Sequence, residues 1–265
     1  MKFYPTYLQS FGLLLFFFLC SILSVLVVIP FFSFDSGIAM SIMYVLSTSL
    51  TIRAALVIRK DYSFLLNRFS PVIVLIASVT LLSIHLFLDP LTNLIPLSDT
   101  LKKMLLETIR QPAIFFFMIV IAAPILEELL FRGVILDGLL KNYQPLHAIL
   151  FSAFLFALVH GNLAQGIGAF LGGILMGWIY WKTQSVIPGI LIHFFNNLAA
   201  FVGTMLTPEQ DIFKSTFETI GNPITYWLLI VGAGIIAGVG IWLLHQKYFK
   251  NINSAFNKEG SNEPT

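Results

Sequence analysis

The sequence predicts an all-α, polytopic transmembrane helical bundle of about eight spans, and three observations predict it. Of the 265 residues, 57% are hydrophobic and only 11% are charged, against roughly 25% charged in ordinary soluble domains. Apolar runs long enough to cross a hydrocarbon core of about 30 Å recur along nearly the whole chain, and mean hydropathy is +0.88. The Lys and Arg residues outside these runs gather in alternate connections, the asymmetry that orients membrane helices.

The first run, 11–33, follows only Lys2 in charge and has no small-residue cleavage site, which predicts a retained anchor rather than a removed signal. The second, 37–58, carries Arg53 near its end, where a long stem can carry the charge to the interface. The third covers 70–88. The fourth, 113–140, is long and the fifth, 145–161, is short, so tilt or partial exposure is expected. The sixth, 163–181, contains Gly168-xxx-Gly172 and Gly173-xxx-Gly177, and the eighth, 224–245, contains Gly234-xxx-Gly238; such spacings let helix backbones approach closely. The seventh is 184–206. The chain therefore divides into three N-terminal spans (1–111), a core of spans four to seven (112–206), the last span (207–247) and a polar tail (248–265). The tail predicts disorder and carries no prenylation box.

An even span number puts both termini on one side. Lys2, Arg59, Lys60, Arg68, Lys141, Lys182, Lys247, Lys250 and Lys258 fall there, against Lys102, Lys103, Arg110 and Lys214 opposite. That excess predicts cytoplasmic termini and suits a bacterial plasma membrane. A net charge of +2 supplies no field for nucleic acid. Cys20 is the single cysteine, so neither an internal disulfide nor a cysteine metal site can form. Chemistry is left to His, carboxylate, amide and hydroxyl groups.

An ionisable side chain at the centre of a membrane helix costs about 2.5–3.5 kcal/mol even on the lenient scale, which makes each one a candidate for function. The fourth span holds Glu127, Glu128 and Arg132. Glu128 and Arg132, four apart, share a helix face and can pair. Glu127 is turned about 100° away and needs a partner on another helix. His160 ends the fifth span; His193 and Asn197 lie four apart in the seventh and point the same way. At 1.5 Å per residue, a hairpin turning at 141–145 sets Glu127 and His160 each about 21–23 Å from the turn, and His193 and Asn197 come to about 16 and 22 Å from their end of the membrane. His85, His147 and His245 lack such surroundings and are assigned to packing or interfaces, while Asn196 is the alternative to Asn197.

Glu127-Glu128-xxx-Arg132, Phe156-xxx-His160 and His193-xxx-Asn197, in this order over about 112–205, resemble the CAAX protease and bacteriocin-processing (CPBP, or Abi) family. The span count is similar to that of its Ras-converting CAAX endopeptidase. The resemblance implies an intramembrane endopeptidase whose substrate is a membrane-associated protein or peptide, prenylated or bacteriocin-like. In that reading Glu127 and His160 activate water, His193 and Asn197 form the oxyanion hole, and Glu128 and Arg132 support them. No cofactor is favoured. The alternative is zinc held by Glu127, His160 and His193, a sufficient set by ligand type. Two other classes stay open: a non-catalytic partner such as a bacteriocin-immunity protein, and a transporter, although no repeat between the halves supports the latter.

Overall fold

The computed structural model describes residues 3–32 and 37–250. Residue 33 of the first expected span, residues 251–265 of the expected tail, and Lys2 and Lys258 of the charge count lie outside them. The described chain forms α1 (Tyr7–Val28), α2 (Gly37–Arg59), α3 (Pro71–Phe87), an amphipathic α4 (Asp99–Ile109), α5 (Pro112–Leu140), α6 (Pro145–Leu158), α7 (Leu163–Thr183), α8 (Ile187–Leu206) and α9 (Pro223–Leu243), besides short turns. Six of these are long and apolar enough to cross a membrane, and α3 and α6 are shorter apolar helices. Together they occupy the eight expected spans of an integral membrane helical bundle. Leu66 and Ser185 make an isolated antiparallel bridge between two loops.

Proline sets many of the boundaries. Pro71, Pro112, Pro145, Pro188 and Pro223 lie in the first turns of α3, α5, α6, α8 and α9, where the missing N–H would have had no helical partner. Asn162 and Asn222 cap α7 and α9 by accepting from the amides of Gln165 and Thr225 at 2.9 and 3.1 Å, as N-cap side chains do.

The centre of the bundle is α5, which packs on α2, α6, α7 and α8. Its Phe131, Val134, Ile135, Leu136 and Leu139 are buried, whereas Leu8, Ile22, Leu26, Leu75 and Leu228 of outer helices are exposed, the arrangement of a bundle that presents apolar side chains to lipid. The glycine spacings act in packing. A Cβ on Gly173 would come 2.9 Å from Ala153 Cβ, so the close α6–α7 approach requires glycine there. Arg53 reaches out of α2 to Tyr62, its guanidinium carbon 5.1 Å from the ring centre.

At one end of the bundle Asp137 ties three helices together: Lys141 Nζ stands at 2.7 Å, Arg59 Nη1 at 3.6 Å, and Tyr180 Oη donates to it at 3.1 Å. At the opposite end Arg110 pairs with Glu209 at 2.6 Å. This exposed pair holds the Glu209 carboxyl below the usual carboxylate range, through a direct hydrogen bond and the arginine charge.

Candidate active site

The long span α5 is not a uniform α-helix. Phe117–Ala122 and Leu129–Leu136 are π-wound, separated by the α-helical Ala123–Glu128. Pro124 accounts for an exposed carbonyl in the first of these. The amide of Ala123 bonds back five residues to Met118, and the next residue, Pro124, has no N–H. Ile119 O is thereby left without a helical donor, and Asn197 Nδ2 of α8 donates to it at 2.7 Å. One proline in α5 thus explains why α8 presents an asparagine at this level. π-turns of this kind are frequent at functional sites.

One turn further along, the charged groups meet. Glu128 and Arg132 are 0% and 1% exposed. Arg132 Nη1 donates to Glu128 Oε1 at 2.7 Å, and its Nη2 donates to Gly173 O at 3.3 Å. His193 Nδ1 stands 3.3 Å from the same Oε1. A carboxylate only accepts, so this nitrogen carries the proton. Glu128 Oε2 is buried without a hydrogen-bond partner and faces Gly189, where a Cβ would come within 2.6 Å of it.

Glu127 lies on a different face, as its rotation predicted. Its Oε1 accepts from Tyr44 Oη of α2 at 2.6 Å. Its Oε2 is buried without a hydrogen-bond partner and stands 3.9 Å from His193 Nε2. His193 is therefore flanked by both glutamates.

Phe156 is the hub of the remaining contacts. The Arg132 guanidinium lies over its ring at 4.6 Å, and Phe131, His160 and His193 approach it edge-on at centroid distances of 5.1, 5.1 and 5.9 Å. α6 ends at Leu158, short of the expected 161, so His160 sits in the turn that follows. Its Nδ1 donates to Phe156 O at 2.9 Å. A neutral ring fixed in this way leaves Nε2 as a bare acceptor. Among the described residues no hydrogen bond or ion pair joins His160 to either glutamate.

Glu127, Glu128, Arg132 and His193 thus form one contiguous cluster, with His160 attached through Phe156 and Asn197 through Ile119 O. Two polar residues that spacing did not point to belong beside them. Tyr44 is one. The other is His85 of α3, assigned above to packing, whose Nδ1 donates to Asn196 Oδ1 at 2.9 Å; Asn196 Nδ2 in turn donates to Asn197 Oδ1 at 3.1 Å. Asn196 is thus the link between His85 and Asn197 rather than a substitute for Asn197. Among the described residues no three His, Cys, Asp or Glu side chains converge where one ion could be held. Glu127, His160 and His193 are not gathered around one point in this arrangement.

Residues 109–199 match the family described as type II CAAX prenyl endopeptidase Rce1-like. No curated protein and no solved structure matches the chain. The match supports an intramembrane protease of the CAAX type, a peptide-bond hydrolase. All six cluster residues drawn from α5, α8 and the turn after α6 fall inside the segment, 109–199, that is similar to this family.

Proposed function

We propose that the chain is an endopeptidase that cleaves a membrane-associated protein or peptide with water activated by Glu127 and His160. The observation that carries this reading is the state of the Glu127 carboxylate: one oxygen is held by Tyr44, and the other is buried, without a hydrogen-bond partner, and faces His193. Such an oxygen can take a proton from water, the task of a general base. His160 supports the reading through its bare Nε2, a second acceptor for the same water. As the water oxygen bonds to the scissile carbonyl carbon, its proton passes to Glu127, and when the C–N bond breaks the proton passes on to the departing amine.

Negative charge gathers on the carbonyl oxygen in between, and fixed donors aimed at that oxygen lower the barrier. Asn197 has a second amide N–H beyond the one given to Ile119 O. His193 can donate from Nε2 when its ring carries both protons, and Glu127 and Glu128 beside it are the counter-charges for that form. Glu128 and Arg132 hold the histidine from behind.

A quenched-fluorescence farnesylated peptide ending in a CAAX box is the first probe, presented to the purified protein in proteoliposomes. Cleavage is expected to fall by about 10²–10⁴ in Glu127→Gln with folding retained, to fall similarly in His160→Ala, and to fall by about 10²–10³ in Asn197→Ala. Chelation should leave the rate unchanged. Loss on chelation with rescue by zinc would replace carboxylate activation with a metal, and full activity in Glu127→Gln would remove the assignment altogether.

A further inference from the structure

We infer that Tyr44 of α2 is a positioning residue for Glu127: by binding Oε1 it fixes the carboxylate plane and aims Oε2 at the reacting water. The inference rests on the role proposed for Glu127. Tyr44 lies outside the matched segment 109–199, on a helix that holds none of the six cluster residues.

The contact is short. Tyr44 Oη and Glu127 Oε1 are 2.6 Å apart, within the range of hydrogen bonds from a hydroxyl to an ionised carboxylate, which are roughly twice as strong as neutral ones. A phenol has one proton to give, and here it goes to Glu127, while the Tyr44 ring supplies a rigid lever across the α2–α5 interface. The helix is built for that approach. Tyr44, Thr48, Thr51 and Ala55 fall on one stripe of α2, and the last three are buried. Thr48 and Thr51 return their hydroxyls to the carbonyls of Tyr44 and Ser47, which keeps these side chains small and internally satisfied where α2 meets its neighbours.

Without this hydrogen bond Glu127 would have little to orient it. The groups that face it are Tyr44 from α2 and His193 from α8 at 3.9 Å, with the charge of Arg132 on its own span felt from further off. Arg132 is committed to Glu128 and Gly173 O. A carboxylate that spins about its last torsion presents either oxygen to water, and misplacement of a reacting group by about 1 Å can cost 10²-fold in rate.

Tyr44→Phe keeps the ring and removes only the donor. In the farnesylated-peptide assay it should lower kcat about 10- to 100-fold, with KM within about two-fold and an unchanged thermal midpoint, while 3-fluorotyrosine introduced at position 44 should retain the rate because it keeps the hydroxyl. A ring that merely fills space predicts no loss of kcat in Tyr44→Phe, and that result would overturn the inference; so would a joint fall of kcat and midpoint. The ¹⁹F resonance of the fluorotyrosine protein, read without substrate, should move when Glu127→Gln is added. No movement overturns the pairing even if Tyr44→Phe fails to fold. If Glu127→Gln cleaves as fast as wild type, the proteolytic reading falls and takes this one with it; if Glu127→Gln is dead and Tyr44→Phe is fully active, only this one falls.

Discussion

Arg132 is among the largest fully buried side chains of the described protein, and its charge is tolerable because Glu128, the Gly173 carbonyl and the Phe156 ring meet it. Removing one member of a buried pair commonly costs about 3–5 kcal/mol, since the other is left charged and unpaired. Arg132→Ala should therefore lower the midpoint of thermal unfolding in detergent sharply. Adding Glu128→Gln should recover part of that loss, and a double variant no more stable than the single one would show that the two are not partners. Gly189 bears on the same carboxylate from the other side. Gly189→Ala places a methyl group against Glu128 Oε2 and should cost about 1–3 kcal/mol, visible in the same unfolding measurement. The Glu128–Arg132 pair was legible from a four-residue spacing, and His160 and His193 from the rarity of histidine in apolar runs. Tyr44 and His85 were not, because no spacing within their own spans points to partners 83 and 111 residues away.

At the scale of the helix, Pro124 converts a sequence feature into site geometry. Pro124→Ala would restore an amide in α5, give the local carbonyls a helical donor again and relax the π-turn toward α. The thermal midpoint should hold or rise, while cleavage of the farnesylated peptide should fall because Asn197 loses its anchor on Ile119 O. Unchanged cleavage would mean that the anchor is dispensable. All eight apolar helices were legible from hydropathy, with ends correct to a few residues, whereas the amphipathic α4 was not expected. The π-winding of α5 was not, since apolar residues run continuously through 113–126 and give no phase by which a four-residue return can be told from a five-residue one; the proline was the sole cue. The early end of α6 escaped notice for a similar reason, because Val159 is as apolar as the residues before it.

Across the whole molecule the two ends of the bundle differ in kind. One is locked by Asp137 with Arg59, Lys141 and Tyr180 and lies on the side with the basic excess. A reporter fused after α9 should therefore be active in the cytoplasm, and an external C-terminus would reverse the orientation. The helices are also unequal in length. At 1.5 Å per residue, α5 extends about 43 Å and α6 only about 21 Å, against a hydrocarbon layer of about 30 Å. With one end of α6 near a membrane surface, the other stops inside the layer, and the turn carrying His160 and Gly161 then lies at a depth where irregular backbone is tolerated only if it is buried in protein or lines a wet cavity. In the reading proposed above, the shortness of α6 gives water a route to the scissile bond and makes lipid thickness a control on the reaction. In vesicles of monounsaturated phosphatidylcholines the turnover should be greatest with short acyl chains, which bring the surface toward the end of α6, and should decline as the chains lengthen.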